Sequence, residues 1–426
     1  MLRMLAVRGS AAGLLALALA FPLHAEGFAF TSQGAKATGL GGAFTALADD
    51  PTALYYNPGG LALLKKKKAV AGGFTAYRLN EGLYQGLAPG PGAGTTGEQE
   101  TPLELPAHLY VLLPLGEKAV FGLGAFSPFL HSNQWSDKGG FAGRYVALRS
   151  EIRTWDLNPT ISFAATENLG LGLGLTYRSS DLSLLRRYPG LNPFTGRLLD
   201  VGSLAVDSDL EGGFGWNVGL SHRIGTRFAW GLAYRSAIEI DHQGVGQLTQ
   251  IPTGNAQLDQ LFAASLPFGP EISMETSLTY PEVASLGVAV GLSKLSWLAV
   301  DVSRTGWQEV SALSFRFASE PELDQTIALA LEESLSYRVG LLIGTPTGMQ
   351  FRFGAGFEES PQPDETVGPF LADADRSLYA AGFGLDWLDV AFSWTTWEGR
   401  VVTTNVDEIN GNWRTTDWRL VITLKK

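Results

Sequence analysis

The stretch "GLGLGLTYR", Gly170 to Arg178, decides how this chain folds. Side chains alternate across an extended strand, so Leu171, Leu173, Leu175 and Tyr177 share one face. Gly170, Gly172, Gly174, Thr176 and Arg178 share the other. A soluble sandwich would turn the bulky face inward and cover its outer face with Lys, Glu and Thr. Here the second face is nearly bare, which suits the lumen of a closed barrel whose bulky face meets lipid.

The pattern recurs along the chain. Phe214, Trp216, Val218 and Leu220 oppose Gly215, Asn217, Gly219 and Ser221. Phe228, Trp230, Leu232 and Tyr234 oppose Ala229, Gly231, Ala233 and Arg235. Leu286, Val288 and Val290 oppose Gly287, Ala289 and Gly291, and the last strand sets Trp418, Leu420, Ile422 and Leu424 against Asp417, Arg419 and Thr423. Short turns near 116–118, 167–169, 225–226, 293–295, 346–349 and 386–388 alternate with long connections. That alternation gives an all-β transmembrane antiparallel barrel of about 14 strands, with both ends on the short-turn, periplasmic side.

Composition agrees. Of 426 residues only 17% are charged, Gly numbers 52 and Trp 11. Arg3 and Arg8, a short apolar run from Ser10 to Phe21, and Ala25 read as a secretory signal peptide spanning 1–25. No later run of about 18 apolar residues marks a transmembrane helix. An exported barrel belongs in the outer membrane of a Gram-negative type envelope. Lys+Arg total 31 against 42 Asp+Glu, a formal net charge of −11, which excludes a general nucleic-acid binder. The absence of cysteine excludes disulfides and thiolate metal sites.

Residues 26–68 lack a strand pattern and precede the barrel at 69–426. Asp50 can N-cap a helix with Pro51 at its first position, and Pro58, Gly59 and Gly60 then end it after about two turns. This segment reads as an N-terminal helical hatch plugging the lumen. Lys65 to Lys68 mark the periplasmic threshold of the first strand rather than a phosphate site, because no Gly-Lys-Ser/Thr spacing is present.

Several ordered motifs resemble the long-chain fatty acid outer-membrane transporter family of the FadL/TodX type. They are Glu26-Gly27-Phe28 at the start and "GLGGAFTALADDPTALYYNPGGLA", with Asn57-Pro58-Gly59 at the family's Asn-Pro-Ala signature. "FGLGAFSPF" at 121–129, "FAGRYVALRSEIRTWDLNPTISF" and "SPQPDETVGPFLADADR" at 360–376 continue the resemblance. It implies a monomeric barrel that captures hydrophobic substrate in a groove of the third and fourth long loops. Substrate then passes to a tighter lumenal pocket near Phe28 and leaves sideways at a kinked third strand, here Ser127-Pro128. The resemblance implies no ATP or cofactor. Two departures stand out: Gly59 replaces Ala, and the chain ends Leu424-Lys425-Lys426 without a terminal aromatic.

The residues themselves suggest where substrate binds. Leu258, Leu261 and Phe262 share one face of a short helix, with Leu266 following, and Tyr188 and Phe194 supply a second wall. Exposed apolar groups of this kind mark a contact site, though they can equally pack the loops together. A carboxylate needs a cation in a low-dielectric lumen, and Arg178, Arg235 and Arg338 face inward by alternation. The alternative is that these arginines pair with lumenal acids. Pro128 marks either a strand end at the rim or a break. His108, His131, His222 and His242 show no metal spacing. Adjacent His131 and Ser132 point to opposite faces, so no catalytic relay forms, and the chain is read as not an enzyme. The expected function is passive transport of hydrophobic compounds, foremost long-chain fatty acids, in contact with outer-membrane lipid and lipopolysaccharide. An aromatic or alkane hydrocarbon channel is the alternative within transport, and a lipid hydrolase or surface-interaction barrel the alternative outside it.

Overall fold

The computed structural model describes residues 27–64, 68–100, 102–137 and 140–426. The signal peptide with its cleavage point, Glu26 and Lys65 to Lys67 lie outside the described residues. Fourteen antiparallel strands close into one barrel. In chain order they are β1 (Ala69–Gly86), β2 (Ala107–Leu115), β3 (Ala119–Phe126 and Leu130–Gln134), β4 (Arg149–Ala164) and β5 (Leu169–Leu191). Next come β6 (Leu198–Ser208 and Glu211–Ile224), β7 (Phe228–Arg235 and Ile238–Gln250), β8 (Glu271–Tyr280 and Val283–Gly291) and β9 (Ser296–Thr305). The last are β10 (Ser334–Gly344), β11 (Gln350–Glu358), β12 (Arg376–Gly384), β13 (Leu388–Trp397) and β14 (Gly411–Lys425). Closure comes from β14 pairing β1 between Ala71↔Lys425 and Gly86↔Gly411. A closed ladder leaves no edge, which is what lets strands exist in lipid.

Near the periplasmic turns the inward and outward faces follow the alternation read from sequence. Leu171, Leu173 and Leu175 are exposed toward the membrane, while Gly170, Gly172 and Gly174 are buried inside. Farther out the rule reverses. On β5 the same inward face continues through Leu182 and Leu184, both buried. Strands β6, β7 and β8 reverse by a different route, since each is interrupted, at 209–210, 236–237 and 281–282 respectively. Asn217 and Gly219 point inward below the break in β6, and Leu204 and Val206 above it. In β7 the inward set changes from Ala229 and Gly231 to Ile238 and Ile240. A one-residue irregularity moves every later side chain to the opposite face. The outer half of the lumen is therefore an apolar chamber, which strict alternation does not foresee.

The inner half is filled by residues 27–64, which run around the lumen against successive strands. Leu54 seats where Gly122 and Gly124 of β3 leave room. A Cβ on Gly59 would lie 2.8 Å from the carbonyl oxygens of both Gly170 and Gly219, and one on Gly172 would lie 2.4 Å from the Pro58 backbone. Gly170 and Gly172 of "GLGLGL" are thus places where backbone rests directly on backbone, while Gly174 leaves room for the Asn217, Thr160 and Asn158 side chains. Asp301 of β9 accepts hydrogen bonds from the Phe44 and Thr45 N–H groups at 2.8 and 2.7 Å. Local structure differs from the expected two-turn helix. Asp50 Oδ1 accepts from the Thr52 N–H at 2.8 Å, and a single turn follows at Ala53–Tyr56. Pro58 then begins a 3-10 helix, Pro58–Leu63, capped by Asn57 Oδ1 accepting from the Gly59 N–H at 3.1 Å. Proline's missing N–H costs nothing at a first helical position, so it starts a turn here rather than ending one.

Candidate functional site

The site begins at the break in β3. Ser127, Pro128 and Phe129 separate its two pieces, so Pro128 lies within the strand line and not at the rim. β2 and β3 pair from Leu115↔Ala119 up to Leu109↔Ala125; the next contact is a bridge from Gln99, in the loop ahead of β2, to Trp135, just past the end of β3. Among the described residues, no backbone bond joins β2 to β3 beyond Leu109↔Ala125, and Glu100 N–H donates to the Gln134 carbonyl at 2.7 Å beside the bridge. The N-terminal segment occupies the freed edge from inside. Phe30 N–H donates to the Pro128 carbonyl at 2.7 Å, and Leu130 N–H to the Phe28 carbonyl at 3.2 Å. Ala29 forms a bridge with Phe129, and Gln33 Nε2 donates to the Ser127 carbonyl. On the other side Thr154 bridges the irregularity, its hydroxyl donating to the Phe129 carbonyl at 2.8 Å and accepting from the Phe129 N–H at 3.0 Å.

Phe28 sits at the centre of an aromatic box. Its ring lies 4.6 Å from Trp307, 6.0 Å from Phe129 and 6.4 Å from Tyr280, all edge-on. Trp307 and Tyr280 were not among the residues singled out from sequence. Pro281, which follows Tyr280 inside an otherwise regular strand pattern, is the signal that marks a break there. Gly27 anchors the segment, its N–H donating to Asp373 Oδ2 in the outer loop at 3.3 Å. Asp373 also accepts from the Ser360 hydroxyl at 3.1 Å. Its carboxyl is pushed up to about 6, because burial penalises the charged form more than its neighbours favour it.

The three inward arginines separate into two kinds. Arg178 is fully buried and forked on Asp156, with Nε and Nη2 at 2.7 and 2.8 Å. It also lies 4.6 Å from the Phe129 ring centre. Arg338 pairs with Glu358 at 3.0 Å, which pairs in turn with Arg376 at 2.7 Å. Arg235 has no carboxylate partner among the described residues. Its Nη2 donates to the Tyr55 carbonyl at 3.0 Å, its guanidinium stacks 4.9 Å from the Tyr55 ring, and Nη1 is buried without an acceptor. It lines a cavity of about 80 Å³ together with Tyr55, Tyr56, Pro58, Pro128 and Phe129. That volume is below the roughly 150 Å³ of an apolar cavity that accepts benzene, so the space must widen to admit any substrate. A second cavity of about 50 Å³ lies between Phe28–Phe30 and Leu130–Asn133.

The outer loops bring part of the apolar set together. The loop helix Ala256–Ser265 buries Leu258 and Phe262 against Val201, with Tyr188 and Leu266 packed alongside. Leu261 points outward at 48% exposure and Phe194 at 76%. The helix is therefore held by its own apolar residues, leaving Leu261, Leu191, Phe194 and Leu198 on the surface. His131 Nε2 bonds the Ser150 hydroxyl at 3.0 Å, not the adjacent Ser132.

A closed antiparallel barrel, with leucine and aromatic side chains facing lipid and its N-terminal segment folded across the lumen, is an outer-membrane transport barrel. The chain belongs to the outer membrane protein transport protein family (OMPP1/FadL/TodX), whose model matches residues 16–417. The long-chain fatty acid transport protein of Salmonella typhi is 22% identical over 361 residues, covering 82% of this chain and 81% of that relative. A Pseudomonas aeruginosa FadL homologue shares the fold with a TM-score of 0.81 at 18% identity, over 94% of this chain and 99% of its own. The P. putida toluene transporter TodX does so with a TM-score of 0.65 at 14% identity, over 95% and 99%.

Proposed function

We propose that this barrel carries hydrophobic molecules, foremost long-chain carboxylic acids, passively across the outer membrane. Residues 26–68 serve as its hatch once a leader of 1–25 is removed, and the barrel at 69–426 acts as a monomer among lipopolysaccharide. Substrate collects on Tyr188, Phe194, Leu258, Leu261, Phe262 and Leu266, descends the apolar outer chamber and reaches the box around Phe28. Its head group meets Arg235, while Arg178 and Arg338 are engaged by Asp156 and Glu358. It leaves sideways beside Ser127 and Pro128 when Phe28–Phe30 withdraws from the β3 edge. Asn57, Pro58 and Gly59 hold the hatch in register with the wall, through Asn57 Nδ2 donating to the Leu220 carbonyl at 3.0 Å.

The observation that carries this reading is the interrupted β2–β3 ladder, whose unpaired edge is covered by a segment held there by only a few backbone bonds. A wall needed only for structure would close that ladder, since unsatisfied backbone in lipid costs several kcal/mol per group. The similarity to a toluene transporter favours a hydrocarbon cargo as the second reading. The test is uptake of labelled oleate and labelled toluene by cells lacking their own transporter. Arg235→Met should slow oleate entry about tenfold and leave toluene entry unchanged, the size expected from losing one charge-assisted pair. Entry of toluene alone would select the hydrocarbon reading, and entry of neither would overturn both.

A further inference from the structure

We propose that His242 and Thr276 form a polar contact point for a hydroxyl group carried on the tail of the cargo, so that the barrel takes hydroxylated long chains in preference to plain ones. The proposal rests on the transport of hydrophobic molecules argued above and adds a feature of the cargo that the head group does not supply. His242 lies on the outer piece of β7 and Thr276 on the outer piece of β8, and the two are directly opposed in the antiparallel register. Both side chains point into the lumen, at 1% and 6% exposure. Directly opposed residues of one face have Cβ atoms about 5 Å apart. Ile240↔Leu278 is the inward pair below them and Gly244↔Met274 the pair above. Ile240, Leu278 and Met274 belong to the buried apolar cluster that extends to Phe28 and Tyr280.

Neither side chain finds a partner. Among the described residues, His242 Nδ1, His242 Nε2 and Thr276 Oγ1 are all buried without a hydrogen bond. Comparable groups elsewhere in the lumen are met. His131 Nε2 bonds the Ser150 hydroxyl at 3.0 Å, and His108 Nε2 bonds the Thr423 hydroxyl at 2.9 Å. The Ser180 and Tyr280 hydroxyls bond each other. What lies beside the unmet pair is apolar. The connection between β9 and β10 sends a hairpin, Ala312–Phe315 and Gln325–Ala328, against β8. It is tied there next to Thr276, where Glu275 and Arg316 exchange backbone hydrogen bonds at 3.0 and 2.9 Å. Phe315 and Phe317 flank that tie and are buried in the same cluster, so they bring rings and no hydrogen-bonding side-chain atom. A buried polar atom left unmet costs free energy that an apolar residue would not. Three such atoms on one facing pair gain most from a guest that brings both a donor and an acceptor.

A hydroxyl is that guest. A neutral imidazole presents one donor and one acceptor, and a threonine hydroxyl presents both. One alcohol group can therefore donate to the ring and accept from Thr276, or the reverse. A carboxylate only accepts, and it brings a charge that is costly to strip of water among leucines. A plain hydrocarbon tail suits the apolar walls but leaves all three atoms unmet. Thr276 lies four residues above Tyr280 on the same strand piece, about 14 Å by strand geometry, and Tyr280 is part of the box around Phe28. The tail therefore passes the pair on its way to that box, and a hydroxyl on any mid-chain carbon comes within reach. Phe315 and Phe317 give way as the tail enters.

The test is initial uptake of oleate and of ricinoleate, its 12-hydroxy counterpart, across a concentration series in cells lacking their own transporter. Surface abundance is normalised by the heat-modifiable folded band. The unaltered chain should reach half-saturation at about fivefold lower ricinoleate than oleate, the gain expected from one neutral hydrogen bond. Thr276→Val and His242→Leu should each remove that advantage and leave the oleate curve unchanged. Because both side chains are unmet in the resting barrel, Thr276→Val should leave the urea midpoint unchanged or raise it. A lowered midpoint would show the hydroxyl already satisfied within the protein and overturn the proposal. Equal loss of both acids on substitution would mark a packing role and overturn it as well. If His242→Leu fails to reach the surface folded, Thr276→Val carries the test, and an undiminished preference for ricinoleate overturns the contact. Unaltered chain that admits neither acid removes the transport reading and the contact together, whereas oleate entry with no preference for ricinoleate removes the contact alone.

Discussion

The two halves of the lumen follow opposite chemical rules on one continuous strand. From Gly170 to Gly174 the inward face of β5 is bare, and the Pro58–Gly59 backbone rests directly on Gly170 and Gly172. From Leu182 to Leu184 the same face is large and apolar and faces a buried cluster with Phe28 at its foot. Where another backbone must lie flush against the wall, side chains are excluded; where a hydrophobic guest must pass, they are required. The join between the halves is where Arg178 and Asp156, Tyr280 and the β3 break are found. A barrel of this kind is a filled cylinder below and an apolar vestibule above.

The most severe way to break this contrast is to give the lower half a side chain. Gly172→Leu would place Cβ about where Pro58 backbone already lies, 2.4 Å away. It should lift the segment off the wall and raise ion leakage through reconstituted barrels from the closed baseline by at least about an order of magnitude, since a packed interior gives way discontinuously. Leu184→Ala, in the upper half, should leave leakage at baseline while slowing oleate uptake. Leakage from both, or from neither, would erase the distinction.

The next effect concerns the join. Asp156→Asn leaves the fully buried Arg178 without its carboxylate and should destabilise the barrel by about 3–5 kcal/mol, read as a lower urea midpoint. Replacing the pair together with Met and Leu should recover most of that loss, because two apolar groups leave no charge unpaired. A double variant as weak as the single one would mean the pair does more than neutralise itself.

Smaller still is the effect of Gly59→Ala. Its Cβ would meet two carbonyl oxygens at 2.8 Å, so it should loosen residues 57–63 from the wall by about 1–3 kcal/mol. Faster hydrogen exchange at 57–63 is the readout; exchange as slow as in the unaltered chain would show that the wall can yield.

The mildest effect is set by pH. Burial raises the Asp373 carboxyl to about 6, above its ordinary value of 3.8. The folded loop therefore binds a proton that the unfolded loop would release. Its contribution to stability is present below about pH 4 and is lost as pH rises through 6. Opening of the 358–375 loop and of residues 27–30, followed by hydrogen exchange, should increase from pH 4 to pH 7. Asp373→Asn should flatten that profile, and a slope that persists would assign it to another group.

Much of this architecture is legible in the chain because alternation is a local property. The short turns, the strand number and the lipid face follow from the spacing of leucine, glycine and aromatic residues, as at Phe228–Arg235 and Ser334–Gly344. The outer half was not legible in the same way. A one-residue break near Ser236 or Pro281 exchanges the two faces of everything beyond it, and pattern counting carries no register across such a point. The site is less legible still. Arg178, Arg235 and Arg338 read alike in sequence, each an inward arginine on a strand. Only the positions of Asp156 and Glu358 across neighbouring strands separate the paired cations from the unpaired one.

The sequence by itself determined that this chain is a barrel, which face meets lipid, and that residues ahead of the first strand lack a strand's pattern, because these depend on neighbours one and two residues apart. Tertiary structure alone decided that Gly170 and Gly172 of "GLGLGLTYR" are a seat for Pro58 and Gly59. It alone brought Phe28, Trp307 and Tyr280 into one box and left Arg235 with no carboxylate partner among the described residues. Those outcomes depend on contacts between groups more than a hundred residues apart, whose free energies are fixed only once the cylinder has closed.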